Sequence, residues 1–390
     1  MIRCTNAMTE QSVLIAGGYG VVGQRIAAAL ASDYPVIVAG RHLDQAKATA
    51  AAIGHGVRGR ELDVTVEASI AAALQGVAAV VSCIDQPRRG LLHAAIERGL
   101  RYTDITPHLV ELGRGTAYEE IGAAARRSGA RVVLGTGIVP GISNVIVRAF
   151  AHTLGGADVI ETSLLLSASD ASGPASFDYF VKELTMPFAV HVDGVDRPAH
   201  AFSDPRVIEF PSPFGPRSAY LFPFSDQVLY PLTMSAQTAL TRVAIEPARL
   251  GRLLAASVRL GAVRLVAREG VRNVLAKRRS DRTPNEDAAR FALRVDVIHD
   301  GRSAHATLVG GPQADAAAAG ASATVRALME GEVSEPGVWM PEQVISPPGF
   351  FSRLCEQGLA VELSTIDDHP RRVSRASSAV RSGGHHADRQ

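Results

Sequence analysis

From Ser12 to Gly137 the sequence repeats one unit, a short β-branched run followed by an alanine-rich helical run. The strand-like runs are SVLIAG, PVIVAG, GRELDV, AAVVSCI, RYTDIT and RVVLGTG. Between them lie VGQRIAAALASD, LDQAKATAAAIG, VEASIAAALQG, RGLLHAAIERG and YEEIGAAARRSG. Strands that are apolar without alternation are covered on both faces, and helical crossovers make them parallel. This rhythm predicts an α/β fold with a doubly wound parallel sheet.

After Gly155 the rhythm changes. IETSLLLSAS, FAVHVDG and FALRVDVIHDG alternate in part, as strands of an antiparallel sheet do, and the Pro/aromatic stretch FPSPFGPRSAYLFPFSDQ between the last two suggests loops. An Arg-rich helical stretch runs from about Arg249 to Arg279, with Leu250, Leu253, Leu254, Val258, Val263 and Val266 near helical spacing, opposite Arg252, Arg259 and Arg268. After Gly311, ADAAAAGASATVRALMEG predicts a helix and PGVWMPEQVISPPGFFSRLCEQGLAVEL a closing segment. The expected organisation is a flexible N-terminus (1–11), an α/β domain (12–150), a second domain (151–310), a C-terminal segment (311–366) and a disordered tail (367–390). The 390 residues are enough for two domains.

A formal charge of +1 gives no global attraction to nucleic acid or membrane surfaces. Cys4, Cys83 and Cys355 are far apart, without metal-ligand spacing, which fits a reducing cytoplasm. His385 and His386 lie in the tail, and no histidine/carboxylate spacing points to a metal. No signal peptide and no membrane-length apolar run are seen, and Met8 is an alternative start to Met1.

Gly18, Gly20 and Gly23 form G-x-G-x-x-G where the first strand meets the first helix. There the first glycine permits the turn, the second lets a pyrophosphate approach the backbone, and the third lets helix and strand pack closely. Tyr19, Val21 and Val22 complete the loop, and the helix N-terminus offers free N–H groups to phosphates. A Rossmann domain follows. The second strand ends in Arg41 rather than an acid, and guanidinium pairs with a 2′-phosphate, so NADP(H) is favoured over NAD(H). Asp44 is expected as the N-cap of the next helix. Asp63 and Val64, closing the third strand, are placed for the adenine.

Ligands of such sheets sit beyond the carboxyl ends of the strands. The fourth strand brings Ser82, Cys83, Ile84 and Asp85 there, the fifth Asp104, Thr106 and His108, and the sixth Gly137, Pro140, Gly141, Ser143 and Asn144. Ser82 and Cys83 join the cofactor-binding set, although an apolar strand cysteine also serves as a small packed hydrophobe. Asp104 and His108 are the candidate catalytic groups, His108 as a general acid. A brace for Asp104 and a surface position for His108 are the structural alternatives, and Asn144 is expected to cap the following helix.

Together GGYGVVG, VIVAGRHLDQAKA, ELDV, VVSCI, RYTDIT and GTGIVPGISN resemble the saccharopine dehydrogenase (saccharopine reductase-like) family, which includes carboxynorspermidine and homospermidine-type enzymes. The closing segment is similar too, and the resemblance spans about residues 12–365. It implies a Rossmann domain with an inserted α+β substrate and dimerisation domain, a homodimer, and hydride transfer to an imine (C=N) of an amine/carbonyl adduct. A substrate carboxylate would need basic groups from the middle region, with Arg217, Lys182 and Arg206 as candidates.

Two alternatives stand beside an NADPH-dependent imine reductase. One is an NADPH-dependent enoyl (C=C) reductase of a lipid- or polyketide-like substrate, in which FPSPFGPRSAYLFPF lines an apolar pocket and the Arg-rich helix docks an acidic carrier protein. The other is a non-catalytic NADP(H)-sensing protein.

Overall fold

The computed structural model describes residues 12–86, 88–105, 116–168, 180–262 and 290–364. Its first sheet contains β1 (Ser12–Ala16), β2 (Val36–Gly40), β3 (Arg58–Glu61), β4 (Val77–Ser82), β5 (Arg101–Asp104), β6 (Arg131–Val133) and β15 (Gly337–Trp339), in the order β15-β6-β5-β4-β1-β2-β3. All pairs are parallel. The crossovers are α1 (Val21–Leu30), α2 (Leu43–Ile53), α3 (Glu67–Ala73), α4 (Gly90–Glu97) and α5 (Thr116–Ser128). β1 and β2 are buried throughout, because their apolar side chains meet helices on both faces. β3, with sequence RGRE, is the half-exposed edge.

Helix α6 (Ile142–Leu154) carries the chain into a second sheet, of order β10-β11-β12-β7-β13-β14-β16. These strands are β7 (Val159–Ser167), β10 (Arg206–Phe210), β11 (Gly215–Leu221), β12 (Thr238–Glu246), β13 (Phe291–His299), β14 (Arg302–Gly310) and β16 (Val361–Leu363). The hairpin of β8 (Pro187–Val192) and β9 (Val195–His200) joins at β12. The expected antiparallel sheet needs one correction: β12 runs parallel to β7 from Thr238↔Val159 to Glu246↔Ser167. The chain between them is long enough for a crossover, which a parallel pair requires.

The Pro/aromatic stretch is also corrected. Phe210 ends β10, Gly215–Leu221 is β11, and Asp226 and Gln227 open α7 (Asp226–Thr233), with a turn and a short loop between them. Within the Arg-rich stretch, α8 spans Ala248–Arg259, and residues 263–289 lie outside the described residues. Leu250, Leu254 and Val258 pack on the core, but Leu253 is 67% exposed because it falls on the Arg252 and Arg259 side.

Helix α9 (Gln313–Met329) lies between the two sheets. Ala318, Ala321 and Val325 pack with Val13, Ile15 and Ile26 of the first domain. Ala316, Ala319, Ala323 and Ala327 pack with Val145, Leu293 and Val295 on the other side. Small side chains let the backbone come close on both faces. A Cβ on Gly320 would lie 2.7 Å from Gly137 O and 2.9 Å from Thr136 O, so the loop after β6 rests on the bare helix. The chain ends with β15 against β6, α10 (Pro341–Val344), α11 (Pro347–Glu356) and β16 against β14, so it touches both sheets.

Candidate active site

The glycine turn between β1 and α1 sits at the centre of the first sheet, where the strand order reverses. Gly17 and Gly18 N–H groups both donate to Ala39 O (2.8 and 3.1 Å), which ties the turn to β2. A Cβ on Gly18 would lie 2.8 Å from Ile15 O and 3.1 Å from Val38 Cα. One on Gly23 would press into Gly17 O and lie 2.8 Å from Gly18 Cα. Both glycines are therefore demanded by the protein's own packing. Gly20 differs: it is exposed, and a Cβ there would meet only Gly17 O, at 3.1 Å. What its bare backbone leaves room for lies outside the chain.

Gly20 is also the N-cap of α1, without a side-chain cap and with no acid in the first turn. The N–H groups of the half-buried Val21 and Val22 turn are left for an anion, and the helix dipole favours one. Tyr19 lies over Gly40 at the end of β2, where its hydroxyl would be 2.9 Å from a Cβ, and its ring centroid is 6.5 Å from that of His42. His42 is the neighbour of Arg41 at this mouth that pattern alone did not single out. A bare turn, an uncapped helix start and the Tyr19, Arg41 and His42 side chains thus meet at one mouth, an arrangement that fits a dinucleotide.

Arg41 is exposed at the tip of β2 and near enough to Asp63 to draw its carboxyl toward the charged form. The larger cause is Thr65, whose hydroxyl (2.6 Å) and N–H (2.9 Å) both donate to Asp63 Oδ1 and hold this carboxyl below its usual range. Asp63 thus folds the turn into α3, with half-buried Val64 beside it. Asp44 is corrected: His42 is the N-cap of α2 and Asp44 lies in its first turn, where a negative charge also suits the dipole.

At the end of β4 the Ser82 side chain is turned inward. Its hydroxyl donates to Ile84 O (3.2 Å) and accepts from Gln86 Nε2 (2.8 Å), while Gln86 also reaches the Tyr102 hydroxyl (3.0 Å). Cys83 N–H donates to Ala16 O (2.9 Å), and its side chain packs against the apolar cluster beneath α1. Burial pushes the Cys83 thiol up to about 12, with Asp104 adding to the rise, so it is a neutral packed group rather than a nucleophile.

Asp104 closes β5 and is buried. Gly135 N–H donates to its Oδ1 (3.0 Å), and Thr136 donates to its backbone carbonyl through N–H (2.8 Å) and Oγ1–H (3.0 Å). Burial pushes the carboxyl up to about 7, against the Gly135 hydrogen bond and the charge of Arg89. An acid so placed holds a proton near neutrality. Thr106 and His108 lie outside the described residues.

After β6, Asn144 accepts from Gly141 N–H (2.8 Å) and from the Ser143 hydroxyl (3.1 Å) through Oδ1. Its Nδ2 donates to Glu342 Oε2 (2.8 Å), and Thr233 Oγ1 donates to Glu342 Oε1 (2.6 Å). Burial raises the Glu342 carboxyl.

The candidate carboxylate receptors are not brought together here. Arg206 pairs with Glu161 (2.7 Å) and Arg217 with Glu246 (2.9 Å), both on the second sheet, while Lys182 is exposed. The aromatic residues expected to line a pocket form core instead. Tyr220 and Phe222 are buried in a stack with Phe180, Phe202 and Phe224, and Phe210 is buried nearby. Asp158, His299 and Asp300 bring potential metal-ligand atoms within 4.8 Å of one another at the turn between β13 and β14, although sequence spacing suggested no such group. They form a cluster at the surface in which His299 Nδ1 lies 3.0 Å from Asp158 Oδ2.

Sheet order, bare turn and uncapped helix define a dinucleotide-binding protein of the doubly wound class. Residues 13–132 match the family model described as the saccharopine dehydrogenase NADP binding domain. The first domain is therefore of saccharopine dehydrogenase type and binds NADP, and the chain that carries it is an NADP-dependent oxidoreductase. The whole fold is shared with the apo histidine-tagged saccharopine dehydrogenase (L-Glu forming) from Saccharomyces cerevisiae. That protein is 17% identical, with a TM-score of 0.63 over 91% of this chain and 100% of that one. GenD2 from gentamicin A biosynthesis, in complex with NAD, is 15% identical, with a TM-score of 0.38 over 77% of this chain and 73% of that one. A short chain dehydrogenase/reductase family protein is 20% identical, with a TM-score of 0.22 over 37% and 68%. No curated protein matches the chain in sequence. Among the described residues, no helix is long and apolar enough to cross a membrane.

Proposed function

We propose that the protein reduces an imine, the C=N bond of an adduct between an amine and a carbonyl compound, with NADPH as the hydride source. The observation that carries this reading is Asp104, a buried acid at the end of β5, adjacent in the sheet to β4. NADPH, when bound, supplies the hydride. The glycine turn and the first turn of α1 bind the pyrophosphate, and Arg41 engages the 2′-phosphate. Asp104, protonated near neutrality, supplies or shares a proton at the imine nitrogen, while the apolar wall beside Cys83 keeps water away from the reacting carbon.

An enoyl substrate draws less support, since the aromatic residues invoked for its pocket are packed as core. A cytoplasmic homodimer belongs to the same reading. Val195 and Val207, exposed on the edge strands β9 and β10, offer apolar contacts for a second subunit.

The test is to incubate the full chain and NADPH with pairs of amines and 2-oxo acids, following loss of nicotinamide absorbance. Turnover with a pair, absent with either component alone and reduced at least tenfold in Asp104→Asn, is the expected result. Turnover of enoyl substrates alone overturns the imine reading, and failure to bind NADPH overturns both.

A further inference from the structure

The balanced charge of the whole chain hides one strongly basic segment. From Arg249 to Arg279 there are nine Lys and Arg and a single acid, Glu269, a net charge of +8, so the rest of the chain carries −7. Helix α8 is the described part of this segment. Its inner face is fixed, because Leu250, Leu254, Ala255 and Val258 pack with Tyr220, Val243 and Ile245. Its outer face presents Arg249, Arg252, Leu253, Ala256, Arg259 and, one residue past the helix, Leu260, all exposed. Arg252 and Arg259 stand two turns apart along one rim of that face. Leu253 and Leu260, 67% and 82% exposed, stand two turns apart along the other.

The chain does not satisfy this face itself. Arg249 and Arg252 lie near the positive end of the helix dipole, with no acid in the first turn. Arg249, Arg252 and Arg259 make no hydrogen bond or ion pair with a described residue. Glu246, the acid that leads into the helix, is taken by Arg217 (2.9 Å). The face therefore presents unmatched positive charge beside a line of apolar side chains.

We propose that the outer face of α8 lies on an anionic lipid membrane, with its arginines among the headgroups and Leu253 and Leu260 in the apolar boundary beneath. An amphipathic helix binds in this way without spanning the bilayer, and anionic lipids attract each basic side chain held at the surface. The net negative remainder of the chain is repelled by the same surface, which sets the side that docks. Nucleic acid is also anionic, but the segment from Arg249 to Arg279 has no Phe, Tyr or Trp to stack on bases. An acidic protein would match the charge, yet this face lacks the aromatic anchors on which protein interfaces centre.

The experiment is co-sedimentation of the full chain with two kinds of vesicle. One is phosphatidylcholine alone, and the other is phosphatidylcholine and phosphatidylglycerol in equal parts. Binding to the mixed vesicles only, weakened by added salt, is the expected result. Arg252→Glu with Arg259→Glu, and separately Leu253→Ser with Leu260→Ser, should each lower that binding by roughly tenfold or more. NADPH affinity at the wild-type value shows that each variant is folded. Equal binding to both vesicles, or binding to neither, overturns the proposal. So does undiminished vesicle binding by either variant. Retention on polyglutamate beads that the leucine variant keeps, without vesicle binding by the wild type, overturns it in favour of an acidic protein partner.

Discussion

The side-chain amide of Asn144 donates to Glu342 across 2.8 Å, joining the first turn of α6 to the segment that returns after α9. Glu342 also accepts from Thr233 of α7, so one buried carboxyl ties three distant parts of the chain. Glu342→Ala would leave the buried Asn144 amide unpaired, while the Thr233 hydroxyl keeps Leu229 O (3.1 Å), and should cost about 1–3 kcal/mol. Glu342→Gln keeps an oxygen acceptor in a site where the acid is already drawn to its neutral form, and should cost about 1 kcal/mol. Denaturant midpoints decide it, and an alanine variant as stable as wild type would remove this tie from the account.

Arg41→Ala should weaken NADPH binding by roughly ten- to a hundredfold, the worth of a charge-assisted bond to phosphate, and leave NADH binding nearly unchanged. Fluorescence titration with both nucleotides measures the difference. Equal losses for the two would move the 2′-phosphate away from Arg41.

The glycines of the turn should separate by role. Gly23→Ala drives a methyl into the backbone of Gly17 and Gly18 and should destabilise the fold by about 1–3 kcal/mol. Gly20→Ala meets one oxygen at 3.1 Å and should melt near wild type, yet lose at least tenfold in NADPH affinity. A Gly20→Ala protein with undiminished affinity would place the pyrophosphate elsewhere.

Asp104 and Asp226 both have carboxyls pushed up to about 7 by burial. The folded chain binds these protons more tightly than the unfolded chain does. Their contribution is therefore complete in acid and lost as pH rises from about 4 to about 7, by up to roughly 1.4 kcal/mol per pH unit for each group. Asp104→Asn and Asp226→Asn should each flatten that slope in denaturation series across this range. If Asp104 is the proton donor, turnover should also fall as pH rises through about 7, and the asparagine variant should lose that limb.

The first domain was legible because its information is local. VLIA and VIVA are buried on both faces and carry no competing pattern, and three glycines at fixed spacing mark the turn. In the second domain the signals conflict. β12 carries Arg242 in its middle, buried and bonded to Asp204, which breaks the apolar run of TALTRVAIE. The stretch FPSPFGPRSAYLFPFSDQ contains prolines yet supplies strands and the start of α7, because tertiary packing of Phe210, Tyr220 and Phe222 outweighs local turn preference. Asp226 and Glu342, in FPFSDQ and MPEQ, look like ordinary loop acids, and only their three-dimensional neighbours bury them. Arg206 and Arg217 look available to a substrate until Glu161 and Glu246 appear beside them.

Helix α9 has one further consequence. Its two faces complete two different cores, and β15, still later in the chain, completes the first sheet. The nucleotide-binding half is thus not an exchangeable module. A chain cut after residue 132, where the match to the NADP binding domain model ends, or after 310, would leave an open sheet edge and uncovered Val13, Ile15 and Ile26. Transplanting the cofactor site into another scaffold means carrying both ends of this polypeptide together.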